Sequence, residues 1–271
     1  MGNEGTYEAY FSLSRTPFGR DIPVAELMKR EQWNELAGRL NHVARHKEFG
    51  IFTGDTGTGK TTALRRMSGE LDKNRYRVLY VCDSYLTPRN FYVETLHQLG
   101  HAPRFYRGDA KRQLTKALGE VVEARQIPVI VVDEAHLLSH EMLEEIRFLL
   151  NLEMDSKSSC SLILMGQSEL RAKLKLQIHQ AIEGRADMRF HLEPMKREDT
   201  FLYVKRHMEM AGSPREIFTE AALSAIHDYA GGLPRKVNKV AQACLMASVS
   251  QQKTLIDDYL VKEVIASEFD G

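Results

Sequence analysis

Residues 54–61 read Gly54-Asp55-Thr56-Gly57-Thr58-Gly59-Lys60-Thr61, a match to G-x-x-x-x-G-K-[ST]. Such a loop does phosphate chemistry. Glycines let the backbone wrap closely with its N–H groups turned inward, and the following helix N-terminus adds positive potential. Lys60 is placed to reach β- and γ-phosphates, the Thr61 hydroxyl to ligate Mg²⁺, and Thr62 completes the candidate nucleotide-binding set. A phosphate cradle alone does not say what the phosphate is used for. The run "VIVVDEAH" (131–136 at its end) places Asp133 and Glu134 where an apolar strand finishes. Asp133 can hold Mg²⁺ through water, while Glu134 is available to polarise an attacking water. Paired carboxylates of this kind indicate hydrolysis rather than phosphoryl transfer to a small acceptor.

Further polar residues stand at the ends of other apolar runs. Gln167, closing "LILMGQ", is a candidate to bond the γ-phosphate or the lytic water, provided its strand lies between those ending in the phosphate loop and in Asp133. Arg185 and Arg189 flank the start of the last strand, where a guanidinium could enter a neighbouring subunit's nucleotide; the residues alone do not choose between them. Arg235 follows the turn "GGLP" at the first turn of a helix and could couple a γ-phosphate to the position of that region. His136 completes the spelling "DEAH", but reads first as a loop residue.

The elements that must carry these residues are legible from periodicity. Near-continuous apolar runs at 49–54, 77–83, 128–134 and 161–166, with a fifth at 188–194, predict parallel strands covered on both faces. Helical patterns occupy 60–72, 88–99, 109–126 and 139–152 between them. The alternation predicts an α/β fold: a three-layer P-loop core with a parallel five-stranded sheet. After Pro194 four helix-length segments, 195–212, 218–230, 234–249 and 255–267, predict a small all-helical lid. The expected domains are an N-terminal arm (1–24), a nucleotide-binding α/β domain (25–194) and the helical lid (195–271). With 37 Lys plus Arg against 37 Asp plus Glu, net charge points to neither nucleic acid nor membrane. Three scattered cysteines, Cys82, Cys160 and Cys244, argue against a disulfide framework. No apolar run approaches the roughly 20 residues that cross a bilayer, so a cytoplasmic location without membrane contact is expected.

Taken together, the phosphate loop, Asp133-Glu134, "LMGQSEL", "GRADMRFHLEPM" and "GGLPR" resemble an AAA+ ATPase. The opening "YFSLSRTPFGRDIP" is similar to the start of the ExeA and TniB group, so the resemblance runs over nearly the whole chain. It implies ATP and Mg²⁺ as cofactors, Arg185 as arginine finger, Gln167 as first sensor, Arg235 as second sensor, and a Pro17-Phe18 arm near the adenine. Two employments follow from it. Relatives of the TniB, TnsC, IstB and MuB kind polymerise on DNA as a homo-oligomeric ring or filament and recruit a transposase; ExeA-type relatives serve secretion and continue into a membrane span. The chain ends at residue 271 without a span, which favours duplex DNA and a transposase as expected partners. A local cation cluster agrees: Arg104, Arg107, Lys111, Arg112 and Lys116 stand against a single Asp109 between 104 and 116, beside Phe105 and Tyr106. Contacts from such a cluster would be blind to sequence and weakened by salt.

Overall fold

The structure is a computed structural model and describes residues 6–19, 28, 30–150 and 159–269. Residues 1–5 and 20–24 of the expected arm, and the last two residues of the helix expected over 139–152, lie outside the described residues. The five apolar runs form β1 (Phe49–Gly54), β2 (Tyr76–Cys82), β3 (Ile127–Asp133), β4 (Ser161–Gly166) and β5 (Met188–Leu192). All pair in parallel, in the order β2-β3-β4-β1-β5. Every residue of β1 and β4 is buried, as the unbroken apolar runs require.

The period of two along each strand divides the burial between two cores. Ile51, Leu79, Val81, Ile130, Val132, Leu162 and Leu164 share one core with α4 (Pro88–Gln98), α5 (Arg107–Glu123) and α6 (His140–Leu149). Phe52, Val129, Val131, Ile163 and Met165 share the other with α2 (Glu31–His46) and α3 (Lys60–Glu70). Helix α2 was not among the expected elements. Its Leu36, Leu40, Val43 and Ala44 recur at helical spacing and are at most 1% exposed, so each large side chain contributes about 1.5–3 kcal/mol to that layer.

Local chemistry sets the element ends. The Thr87 hydroxyl accepts from Asn90 N–H, and Pro88 occupies the first turn of α4, where a missing N–H costs nothing. Two carboxyl ends differ from expectation. Glu134 leaves β3 in the left-handed region (φ 54°), and β5 stops at Leu192 rather than Pro194. Short helices α7 (Ser168–Leu174) and α8 (Gln180–Glu183) fill the β4–β5 connection.

The chain divides into two compact units: Glu31–Asp55 with Lys60–Leu192, which is the sheet unit, and Met1–Arg30 with Thr56–Gly59 and Glu193–Gly271. In the second, α9 (Arg197–Met210), α10 (Glu220–Ala230), α11 (Pro234–Ser250) and α12 (Asp258–Glu268) bury Val204, Leu223, Ile226, Val237, Val240 and Leu260. Thr219 and Asp257 cap α10 and α12, and Gly231 ends α10 with φ 59°. The N-terminal segment, with its one-turn helix α1 (Tyr7–Tyr10), belongs to this unit: Ser14 N–H donates to Ala211 O at 2.8 Å, and Phe18 stacks on the His207 ring. Among the described residues no helix is long and apolar enough to cross a membrane.

Candidate functional site

Strand order decides which loop ends meet. Because β4 lies between β1 and β3, the carboxyl ends Gly54, Gly166 and Asp133 come side by side, where open parallel sheets place ligands. Lys60 opens α3 and is 8% exposed; its Nζ donates to Gly54 O at 2.6 Å and Asp55 O at 2.9 Å. Two carbonyl oxygens thus hold an ammonium aimed back into its own loop, as phosphate oxygens would. Gly57 and Gly59 take φ 87° and 106°, left-handed values that L side chains rarely adopt. Thr56–Gly59 groups with the helical unit, where Arg235 N–H donates to Gly57 O at 3.4 Å. A Cβ on Gly57 would lie 2.8 Å from the Arg235 Cβ. Thr58 is buried, Thr56 exposed and Thr62 half-buried. The Asp55 carboxylate accepts from Ser168 Oγ at 2.5 Å, a contact that motif reading did not anticipate.

The acidic side is equally ordered. Thr61 Oγ1 donates to Asp133 Oδ2 at 3.3 Å, and Tyr80 Oη donates to the same oxygen at 2.8 Å. Asp133 Oδ1 accepts the Glu134 N–H at 2.9 Å. Burial, reinforced by the bond to Asp133, holds the Tyr80 phenol protonated far above its ordinary range. Two hard oxygen donors, one hydroxyl and one carboxylate, fit Mg²⁺, which takes few protein ligands and keeps water and phosphate for the rest. Glu134 is half-exposed, and His136 Nδ1 lies 3.5 Å from its Oε2. The same nitrogen accepts the Gln167 N–H at 3.4 Å. His136 therefore lies between the carboxylate and the β4 end. Local sequence shows His136 only as a loop residue, since it is the strand order that brings 136 and 167 together.

The remaining candidates separate. Arg185 Nη1 donates to Arg147 O at 3.2 Å, a neutral carbonyl near the end of α6. Arg189 is bound to a carboxylate, Nε to Glu183 Oε1 at 3.0 Å, and lines a cleft of about 350 Å³ with Arg171, Lys175 and His191. In the cation cluster, Arg107 and Lys111 turn inward onto Glu145 of α6, which is 4% exposed. Arg107 also meets Glu141 at 2.5 Å. Tyr92 donates to Glu145 as well. Burial alone would raise the Glu145 pKa, but the bonds from Lys111, Tyr92 and Arg107 prevail and bring it down to about 2. Arg104, Arg112 and Lys116 stay exposed; Arg112 meets Asp109 at 2.5 Å and Lys116 meets Glu120 at 3.8 Å, surface pairs of small worth.

A phosphate loop on β1, a carboxylate pair after β3, a polar β4 end and a following helical region define the AAA+ P-loop fold, and residues 43–174 match the family model described as AAA domain. The chain is 31% identical over 251 residues to General secretion pathway protein A of Aeromonas hydrophila, covering 90% of this chain and 45% of that protein. It thus spans about half the length of that relative. Among solved structures, Cdc6p from Pyrobaculum aerophilum shares the fold with a TM-score of 0.71 at 16% identity, over 92% of this chain and 70% of that one. A chain of Drosophila ORC bound to DNA does so with a TM-score of 0.68 at 18% identity, over 98% and 66%.

Proposed function

We propose that this chain hydrolyses ATP with Mg²⁺, assembles with further copies of itself on duplex DNA, and in that state recruits a transposase. The observation that carries the chemistry is the bond from Thr61 to Asp133 at the carboxyl end of the sheet, Oγ1 and Oδ2 3.3 Å apart, beside the loop that holds Lys60. Lys60 exchanges its two carbonyl partners for β- and γ-phosphate oxygens, and the backbone N–H groups of residues 54–61 line the phosphates. Thr61 and Asp133 would hold Mg²⁺, which when bound would neutralise charge developing on the phosphoryl oxygens. Glu134 orients and deprotonates the attacking water, and Gln167 bonds it or the γ-phosphate. Arg185, just before β5, is the finger given to a neighbouring copy, its planar guanidinium suited to phosphate oxygens. Arg235, bonded to the loop at Gly57, reports the nucleotide to the helical unit.

Glu134→Gln tests the central role. The variant is expected to keep ATP while turnover falls by about 100-fold or more. Normal hydrolysis by that variant would remove Glu134 from the mechanism. For DNA, the outward cations Arg104, Arg112 and Lys116 carry the reading, because Arg107 and Lys111 are committed to Glu145. The triple change Arg104→Glu, Arg112→Glu, Lys116→Glu should abolish duplex binding measured by fluorescence anisotropy at low salt and leave ATP binding intact. Unchanged anisotropy would reject this face.

A second reading, an ATPase of a secretion system acting on protein partners, is favoured by the 31% identity to General secretion pathway protein A. ATPase activity insensitive to added duplex DNA would decide for it.

A further inference from the structure

The phosphate-loop chemistry needs a hydroxyl at 61 and a carboxylate at 133, but nothing in it asks for a tyrosine on β2. Tyr80 nevertheless makes a 2.8 Å bond to Asp133 Oδ2, shorter than the 3.3 Å bond from Thr61 to that oxygen. Its backbone is pinned by an unusual device. Among the described residues β2 is an edge strand, so the outward N–H and C=O of Tyr80 have no neighbouring strand there to pair with. The side-chain amide of Gln98, the last residue of α4, supplies both partners: Tyr80 N–H donates to Gln98 Oε1 at 2.9 Å, and Gln98 Nε2 donates to Tyr80 O at 2.7 Å. Gln98 is itself oriented by a bond from Nε2 to Glu94 Oε1 at 2.7 Å.

The consequence lies on the carboxylate. The terminal torsion of an aspartate is broad; the Glu134 N–H holds Oδ1, and besides Tyr80 the bond on Oδ2 is the long one from Thr61, itself a candidate metal ligand. Tyr80 adds the shorter bond at Oδ2, so the oxygen facing Thr61 is held independently of Thr61. We propose that Tyr80, clamped by Gln98, is a positioning residue for Mg²⁺, holding Asp133 in the orientation that completes the metal site with Thr61. This rests on the reading of Thr61 and Asp133 as the Mg²⁺ site.

The test is Tyr80→Phe in the full chain, with equilibrium binding of a non-hydrolysable ATP analogue measured in EDTA and across a Mg²⁺ titration. The ring stays and only the hydroxyl is lost, so the variant should fold, with melting lowered by a few degrees at most for the one bond removed. Affinity in EDTA is expected to be unchanged, while the Mg²⁺ concentration giving half of the metal-dependent gain rises about tenfold, as for other residues that orient metal ligands. Gln98→Leu, which touches neither Asp133 nor nucleotide, should shift the Mg²⁺ curve in the same direction. A Mg²⁺ curve for Tyr80→Phe superimposed on the parent's would overturn the proposal, as would an equal loss of affinity with and without the metal. If the parent protein gains no affinity from Mg²⁺, the failure is that of the Thr61–Asp133 site itself, and this inference falls with it.

Discussion

Glu134 sits at the one non-glycine position of the site with a positive φ, 54°, a conformation that costs about 1–2 kcal/mol for an L residue. Ending β3 at Asp133 turns Glu134 out of the sheet, so that Asp133 is buried while the adjacent Glu134 is half-exposed. The His136 ring then touches both Glu134 Oε2 and the Gln167 N–H through a single nitrogen. That nitrogen can accept from Gln167 or, protonated, donate to Glu134, but not both at once. His136→Ala is therefore expected to lower turnover by about tenfold while leaving ATP affinity unchanged, measured as separate kcat and Kd values. A change in affinity of the same size would mark His136 as part of the cradle instead. The letters "DEAH" display this histidine plainly, yet its partner lies 31 residues away, at the end of a strand whose placement only the fold supplies.

At the scale of elements, the turn "GGLP" separates two glycines that look equivalent in sequence. Both have positive φ, 59° at Gly231 and 71° at Gly232. A Cβ at Gly231 meets nothing within 4 Å, whereas at Gly232 it would lie 2.0 Å from Met195 O. Gly231→Ala should cost about 1 kcal/mol, the left-handed penalty alone, while Gly232→Ala should cost at least about 3 kcal/mol; chemical denaturation of the two variants checks the contrast. The knot joining α4, α5 and α6 at Glu145 makes a second prediction. Its folded pKa, about 2, lies below the ordinary 4.5, so its stabilisation is fully present above pH 4.5 and drains away as pH falls from there towards 2. The contribution is on the order of 2 kcal/mol once screening around the partly exposed Arg107 and Lys111 is allowed for. The acid slope of the melting temperature should flatten in Glu145→Gln over that window and be unaltered above it. His207 in the helical unit acts earlier: burial lowers its pKa to about 4, against the bond to Pro17 O, so stability is lost as pH falls from 6.5 towards 4. Unfolding of that unit followed between pH 6.5 and 4 should steepen relative to His207→Gln if the latter folds.

For the whole molecule, catalysis and assembly should be linked through Arg185. Arg185→Ala is expected to hydrolyse ATP as slowly as the dilute parent at every concentration, while the parent accelerates as copies associate; sedimentation and steady-state rates on the same samples measure both. An equal loss in dilute monomer would indicate a disturbed α6–β5 connection, since Arg185 also bonds Arg147 O. The cation cluster shows where sequence reading stops. Between 104 and 116 the chain offers five cations against one Asp, but α6 brings Glu141 and Glu145 onto Arg107 and Lys111, leaving three outward. Helix α2 was unread for a different reason: its apolar spacing is present in the letters, but nothing local says that the second face of the sheet needs it. The sequence by itself determined the strand runs, the phosphate loop and the carboxylate pair, because each is written in contiguous residues whose backbone geometry and period are local. Only the tertiary structure decided that Tyr80 and Thr61 share one oxygen of Asp133, that one His136 nitrogen faces both Glu134 and Gln167, and which cations are neutralised. Those contacts depend on strand order and helix packing, which join residues tens of positions apart through hydrogen bonds that no local pattern encodes.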